Sequence, residues 1–128
     1  IIRKKNIVLT PEEWVRQHWV HYLSSELGYP LGRIAVEQPL QLNGLARFAD
    51  IVCHDNAGIP LLLVEVKRPN IALSASVLNQ VLRYHLTLQT PLVIISNGIQ
   101  HQAYHFQGGQ FKSLDRLPPG PSSTVSNK

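Results

Sequence analysis

Two periods of apolar residues run through this chain. Val15, Trp19, Tyr22 and Leu23 recur at helical spacing behind Thr10-Pro11-Glu12-Glu13. Thr10 suits an N-cap, Pro11 the first helical position, and Glu13 the acidic partner of a capping box. Gly28 and Pro30 end that helix near Leu27. A second stripe, formed by Val77, Leu78, Val81, Leu82, His85 and Leu88, predicts a helix over 74–88. Between and after the helices the pattern becomes extended. Residues 34–42 are strand-compatible, with Pro39 pointing to an edge or a bulge. Asn43-Gly44 is a hairpin turn signal, 45–54 the return strand, and Asp55-Asn56-Ala57-Gly58 a second turn. Residues 60–67 form the most apolar strand, Leu61-Leu62-Leu63-Val64 leading into Glu65-Val66-Lys67.

Arg68-Pro69-Asn70 breaks that strand, Leu92-Val93-Ile94-Ile95 reads as a strand buried on both faces, and 100–106 can add one more. The expected order is α-β-β-β-α-β. The first three strands form an antiparallel meander, and the fourth lies parallel to the third because a helical crossover separates them. The fold class expected is α/β, a mixed sheet flanked by helices. Residues 1–9 read as an N-terminal extension, 10–112 as one domain, and 113–128 as a Pro/Ser-rich tail expected to be disordered.

Composition narrows the function classes. Among 128 residues only 8 are acidic, against 12 Lys and Arg, for a net charge of +4. Charged residues make up 16% of the chain, below the roughly 25% of an ordinary domain. An acid inside an apolar run therefore needs a reason. A pI near 9.5 favours a polyanionic partner. No run reaches the roughly 18 apolar residues of a membrane helix. No apolar stretch follows Ile1-Ile2-Arg3-Lys4-Lys5, so no secretory signal is expected. The single cysteine, Cys53, excludes a disulfide framework and fits a cytoplasmic setting. There is no Met, even at position 1, as expected of a processed or excised chain.

The acids that interrupt strands are Asp50 and Glu65. By alternation Leu61, Leu63, Glu65 and Lys67 share one face, and Phe48, Asp50 and Val52 share a face of the preceding strand. The turn at 55–58 sets Asp50 opposite, or nearly opposite, Leu63–Glu65. Two carboxylates and a lysine can thus converge, whereas isolated burial of a charge costs several kcal/mol, about the worth of a whole domain's margin. An ordinary structural ion pair, Glu65–Lys67 or Asp50–Lys67, is the plainer reading. Gln80 and Tyr84, at i and i+4 on the margin of the second helix, can either sit at its boundary or hydrogen-bond such a site.

The ordered set Asp50, Glu65-Val66-Lys67 in this frame resembles the PD-(D/E)XK nuclease superfamily, and Gln80-x-x-x-Tyr84 resembles its RecB-like branch. Thr10-Pro11-Glu12-Glu13-Trp14-Val15-Arg16-Gln17, Leu27-Gly28-Tyr29-Pro30, Arg47-Phe48-Ala49-Asp50-Ile51, Leu63-Val64-Glu65-Val66-Lys67 and Ser96-Asn97-Gly98 are similar to the N-terminal nuclease domain of type I restriction enzyme R subunits. The likeness spans about 3–106, and departs in having Ala49, not Pro, before the first acid. It implies a restriction-endonuclease-like fold and Mg²⁺-dependent hydrolysis of DNA phosphodiesters, with Mn²⁺ able to substitute. Asp50, Glu65 and the Val66 carbonyl would be metal ligands, Lys67 would position or deprotonate water, and Gln80 and Tyr84 would orient site and backbone.

The family also carries an acid on its first helix. Glu12 lies on the stripe of Val15, Trp19 and Leu23 and is expected to face the sheet, ahead of Glu13 and then Gln17. Arg16, Arg68 and Arg83 are candidate phosphate contacts or plain surface charges. His18 with His21, and His101 with His105, lack a third ligand on their elements, so zinc is not expected; Cys53 is expected to be inert. Without a GxxxxGK[ST] segment, cleavage by this chain is expected to need no ATP and to have low sequence specificity. Expected partners are DNA, restriction-system subunits and a second copy in a homodimer, with no membrane. The competing readings are a non-cleaving DNA- or protein-binding module on the same fold, and an α/β protein whose E-x-K is only a salt bridge.

Overall fold

The computed structural model describes residues 10–42, 44–118 and 120; the side chains of Leu42 and of residues 84–87 lie outside the described residues. Helix α1 spans Pro11–Ser25 and starts as its sequence predicts, with Thr10 Oγ1 accepting the Glu13 N–H at 3.1 Å. Six strands follow: β1 Ile34–Leu42, β2 Leu45–His54, β3 Pro60–Val66, β4 Leu92–Ser96, β5 His101–Gln107 and β6 Gln110–Leu114. Helix α2, Ala75–Leu88, lies between β3 and β4. The protein is α/β, with one mixed sheet in the order β1-β2-β3-β4-β5-β6. Every neighbouring pair is antiparallel except β3–β4, the pair joined through α2.

The sheet alternates its apolar residues between two helical layers. Leu62, Val64, Val66 and Ile94 pack with Val15, Trp19, Val20 and Leu23 of α1. Leu63, Val93 and Ile95 pack with Val81, Val77 and Leu78 of α2. Both faces of β3 and β4 are therefore dry, which explains their unbroken apolar runs. Burying each such Leu or Ile contributes about 1.5–3 kcal/mol. This rigid pair carries Glu65 and Lys67 at its end.

Residues 113 and 114, expected in the tail, belong to β6, Gln110–Leu114. A two-glycine turn, Gly108-Gly109, with φ of +61° and +79°, returns the chain from β5 so that Phe106 pairs with Phe111. Residues 1–9, expected as an extension, Asn43 of the first hairpin turn, and 121–128 lie outside the described residues. Among the described residues no helix is long and apolar enough to cross a membrane.

Candidate functional site

The β2–β3 ladder stops at Ile51↔Val64. One step further, Asp50 would face Glu65. Alternation along β3 turns the Val64 and Val66 N–H groups toward β2, while the Lys67 N–H turns the other way, donating to Ser96 O at 2.8 Å. The Val66 N–H would be an orphan where the ladder ends, and a buried orphan donor costs about 1–3 kcal/mol. Asp50 Oδ2 accepts it at 2.9 Å. A side chain replaces a strand there, and β2 is distorted to allow it. Ala49 and Val52, three positions apart, both join the α2-side cluster, so the strict alternation expected through Phe48, Asp50 and Val52 breaks at Asp50. In β1 the register skips Glu37, opposite Asp50, and its φ is +57°, a left-handed backbone that a non-glycine residue adopts at a cost of about 1 kcal/mol or more.

Glu65 is 4% exposed, Asp50 8%. Glu65 Oε1 is buried without a hydrogen-bond partner. Its other oxygen, Oε2, lies 3.9 Å from Lys67 Nζ. Burial, and then the charge of Asp50, push the Glu65 carboxyl up to about 9, with Lys67 pulling against them. Lys67 Nζ donates to Gln80 Oε1 at 2.7 Å, so α2 holds the ammonium from the far side. The segment after Lys67 is pinned by Asn97, whose Nδ2 donates to Ile71 O at 2.8 Å and whose Oδ1 accepts the N–H groups of Ile99 and Gln100. Tyr84, the other half of the α2 pair, has its side chain outside the described residues.

The first helix contributes differently from the expectation. Arg16 is buried and donates through Nη2 to Asp50 Oδ1 at 2.7 Å and through Nη1 to Glu13 Oε1. Glu13, ranked behind Glu12, is 5% exposed. Glu12, expected to face the sheet, has a side chain 40% exposed and stands 3.7 Å from Arg16 Nη2. The helical stripe did place Glu12 on the inward side. Arg16, held by Asp50, takes Glu13 as its hydrogen-bonded partner instead and leaves Glu12 at the rim. Gln17 Nε2 meets Glu13 Oε2 at 3.4 Å, so it too reaches the network only through Glu13. Burial alone would lower the Arg16 pKa, but Asp50, Glu13 and Glu12 outweigh it and hold the guanidinium more firmly charged.

Arg16, read as a candidate phosphate contact or a surface charge, is buried and bonded to Asp50. Arg68 and Arg83 are exposed. His18 stacks on Trp14 with ring centres 4.1 Å apart, and His101 meets Trp19 edge-on and Ser96 Oγ at 2.7 Å. Among the described residues no three or more His, Cys, Asp or Glu side chains are grouped to hold a metal ion. Cys53 is fully buried and burial pushes its thiol up to about 12, which removes the reactive thiolate. A separate cavity of about 680 Å³ lies between α1 and β4–β5, lined by Trp14, His18, Tyr22 and His101 among others.

Fold and site together define an α/β domain in which two buried carboxyl groups, Asp50 and Glu65, sit where a strand pair ends, beside a lysine held by α2. Residues 11–118 match the family described as the type I restriction enzyme R protein N terminus. The match covers most of the chain, and the chain belongs to that family. No curated protein sequence matches it.

Proposed function

We propose that this chain is a metal-dependent nuclease that hydrolyses DNA phosphodiester bonds on a centre of the PD-(D/E)XK type. The observation that carries this reading is Glu65 Oε1: a buried, unpartnered carboxyl oxygen across from Asp50 and beside Lys67. Leaving it unmatched is unfavourable by about 1–3 kcal/mol, so the fold has a reason to keep it for something that binds.

The donor set fits Mg²⁺, or Mn²⁺ in its place. Asp50 and Glu65 would supply carboxylate oxygens and Val66 its carbonyl, hard ligands suited to an ion that keeps several waters. Bound there, the ion supplies an acidified water and an offset to the charge developing on the phosphate. The chain's own residues do the rest. Lys67, aimed by Gln80, holds the water or neutralises a phosphate oxygen. The Val66 N–H keeps Asp50 turned toward β3, and Arg16 holds its other oxygen. Tyr84 is proposed to orient the nucleic-acid backbone. Restriction-system subunits and a homodimeric partner belong to the same proposal.

The assay is cleavage of supercoiled plasmid and of single-stranded DNA with Mg²⁺, Mn²⁺ or EDTA, beside Asp50→Ala and Lys67→Ala. Cutting that survives both substitutions rejects the site. One observation favours a second reading, a non-cleaving DNA- or protein-binding module: both Asp50 oxygens already have donors, Arg16 and Val66. Metal-independent DNA binding without cutting would select it.

A further inference from the structure

Arg16 occupies a position that a metal ligand's surroundings do not need. Its Nη2 stands 2.7 Å from Asp50 Oδ1, and it is buried in this contact. A second positive charge brought to the same carboxylate meets the first at close range in a poorly solvated pocket, where repulsion is screened far less than in water. Lys67 cannot relieve this, since it is engaged by Gln80 and faces Glu65. Arg16 has somewhere to go. Glu13 already holds its Nη1, and Glu12 stands at 3.7 Å, half-exposed and loosely engaged. Arg16 Nε is buried and has no partner, so its present pose leaves that guanidinium donor unused. Four carboxyl groups, Glu12, Glu13, Asp50 and Glu65, surround only two cationic side chains in this network, Arg16 and Lys67.

We propose that Arg16 is a resident counter-cation for Asp50, which a divalent ion displaces, and that the freed guanidinium re-pairs with Glu12 and Glu13. The inference rests on the reading of Asp50 and Glu65 as metal ligands. It makes Arg16 a positioning residue: it holds Asp50 in place before the ion binds, and weakens ion binding by competing for it. Glu12 and Glu13 are then acceptors for Arg16 and touch no ion themselves.

The test is Mn²⁺ binding by calorimetry to the wild-type chain, Arg16→Met and Asp50→Ala, each checked for folding by circular dichroism. Arg16→Met should bind Mn²⁺ at least tenfold more tightly than wild type. Equal or weaker binding by folded Arg16→Met overturns the inference and leaves the metal centre standing. Binding by Asp50→Ala as tight as wild type overturns the metal centre itself, and with it the inference; so does no binding by either wild type or Arg16→Met. If Arg16→Met does not fold, the wild-type chain decides. The side-chain NMR signals of Arg16 should shift on Mg²⁺ addition as its contact to Asp50 is lost, and unchanged signals at saturating Mg²⁺ overturn the inference.

Discussion

Asp50 accepts the main-chain N–H of Val66 at 2.9 Å, one step beyond the last backbone pair between their strands. A carboxylate thus does what a strand did up to that point, and the gap it leaves opens the sheet beside Glu65. Structure and candidate chemistry share one side chain there. Changes at Asp50 should therefore alter stability as well as any activity.

Asp50→Asn can still accept from Val66, but it faces Arg16 with no charge. Removing one partner of a buried ion pair typically costs about 3–5 kcal/mol. With both side chains slightly exposed, at 10% and 11%, we expect the low end, about 3 kcal/mol, in urea unfolding without metal. A loss below about 1 kcal/mol would mean that the pair contributes little.

Glu65 sets a pH dependence. Its carboxyl is raised from 4.5 to about 9, so the folded chain holds this proton more tightly than the unfolded chain. Its contribution to stability is full below pH 4.5 and is lost as pH rises to about 9. The limiting slope is about 1.4 kcal/mol per pH unit. Urea midpoints in EDTA should fall from pH 5 to pH 9, and Glu65→Gln should flatten that fall. An equal fall in Glu65→Gln assigns it to other groups.

Gln80→Leu removes the acceptor that aims Lys67. The bond is exposed, so stability should change by less than about 1 kcal/mol. Misplacing a reacting group by an ångström can reduce a rate by about 100-fold, and plasmid cleavage should fall about 10- to 100-fold. Full cleavage by Gln80→Leu would remove Gln80 from the site.

Gly98 sits at φ +89°, and a Cβ there would come within 2.8 Å of Val15 Cγ2. Gly98→Ala should destabilise by about 2 kcal/mol in urea unfolding, through backbone strain and overpacking together. A neutral change would show that α1 gives way freely at the turn after β4.

Much of the fold was legible because its signals are local. Thr10-Pro11 starts α1, the turn at 55–58 fixes the β2–β3 pairing, and the helical stripe of 74–88 requires a crossover to a parallel β4. Strand β6 had a local signal too, since Gly108-Gly109 between Phe106 and Phe111 is a hairpin pattern, but the Pro-rich residues behind it drew the boundary too early. The candidate site was legible as a juxtaposition of Asp50 with Glu65. Its internal bonding was not. Helical angle favours Glu12 over Glu13, and only the tertiary partner of Arg16, 34 positions away in Asp50, reverses that choice. No spacing rule encodes such a contact. The break in alternation at Asp50 also escaped, because it depends on β1 yielding at Glu37.

Supercoiled plasmid incubated with the folded wild-type chain, Lys67→Ala and Asp50→Ala reports most directly on a metal-dependent nuclease centred on Asp50, Glu65 and Lys67. Wild type should nick the plasmid in Mg²⁺ or Mn²⁺ and not in EDTA, and either substitution should reduce nicking by at least about 100-fold. Nicking that persists in EDTA, or in both variants, contradicts it.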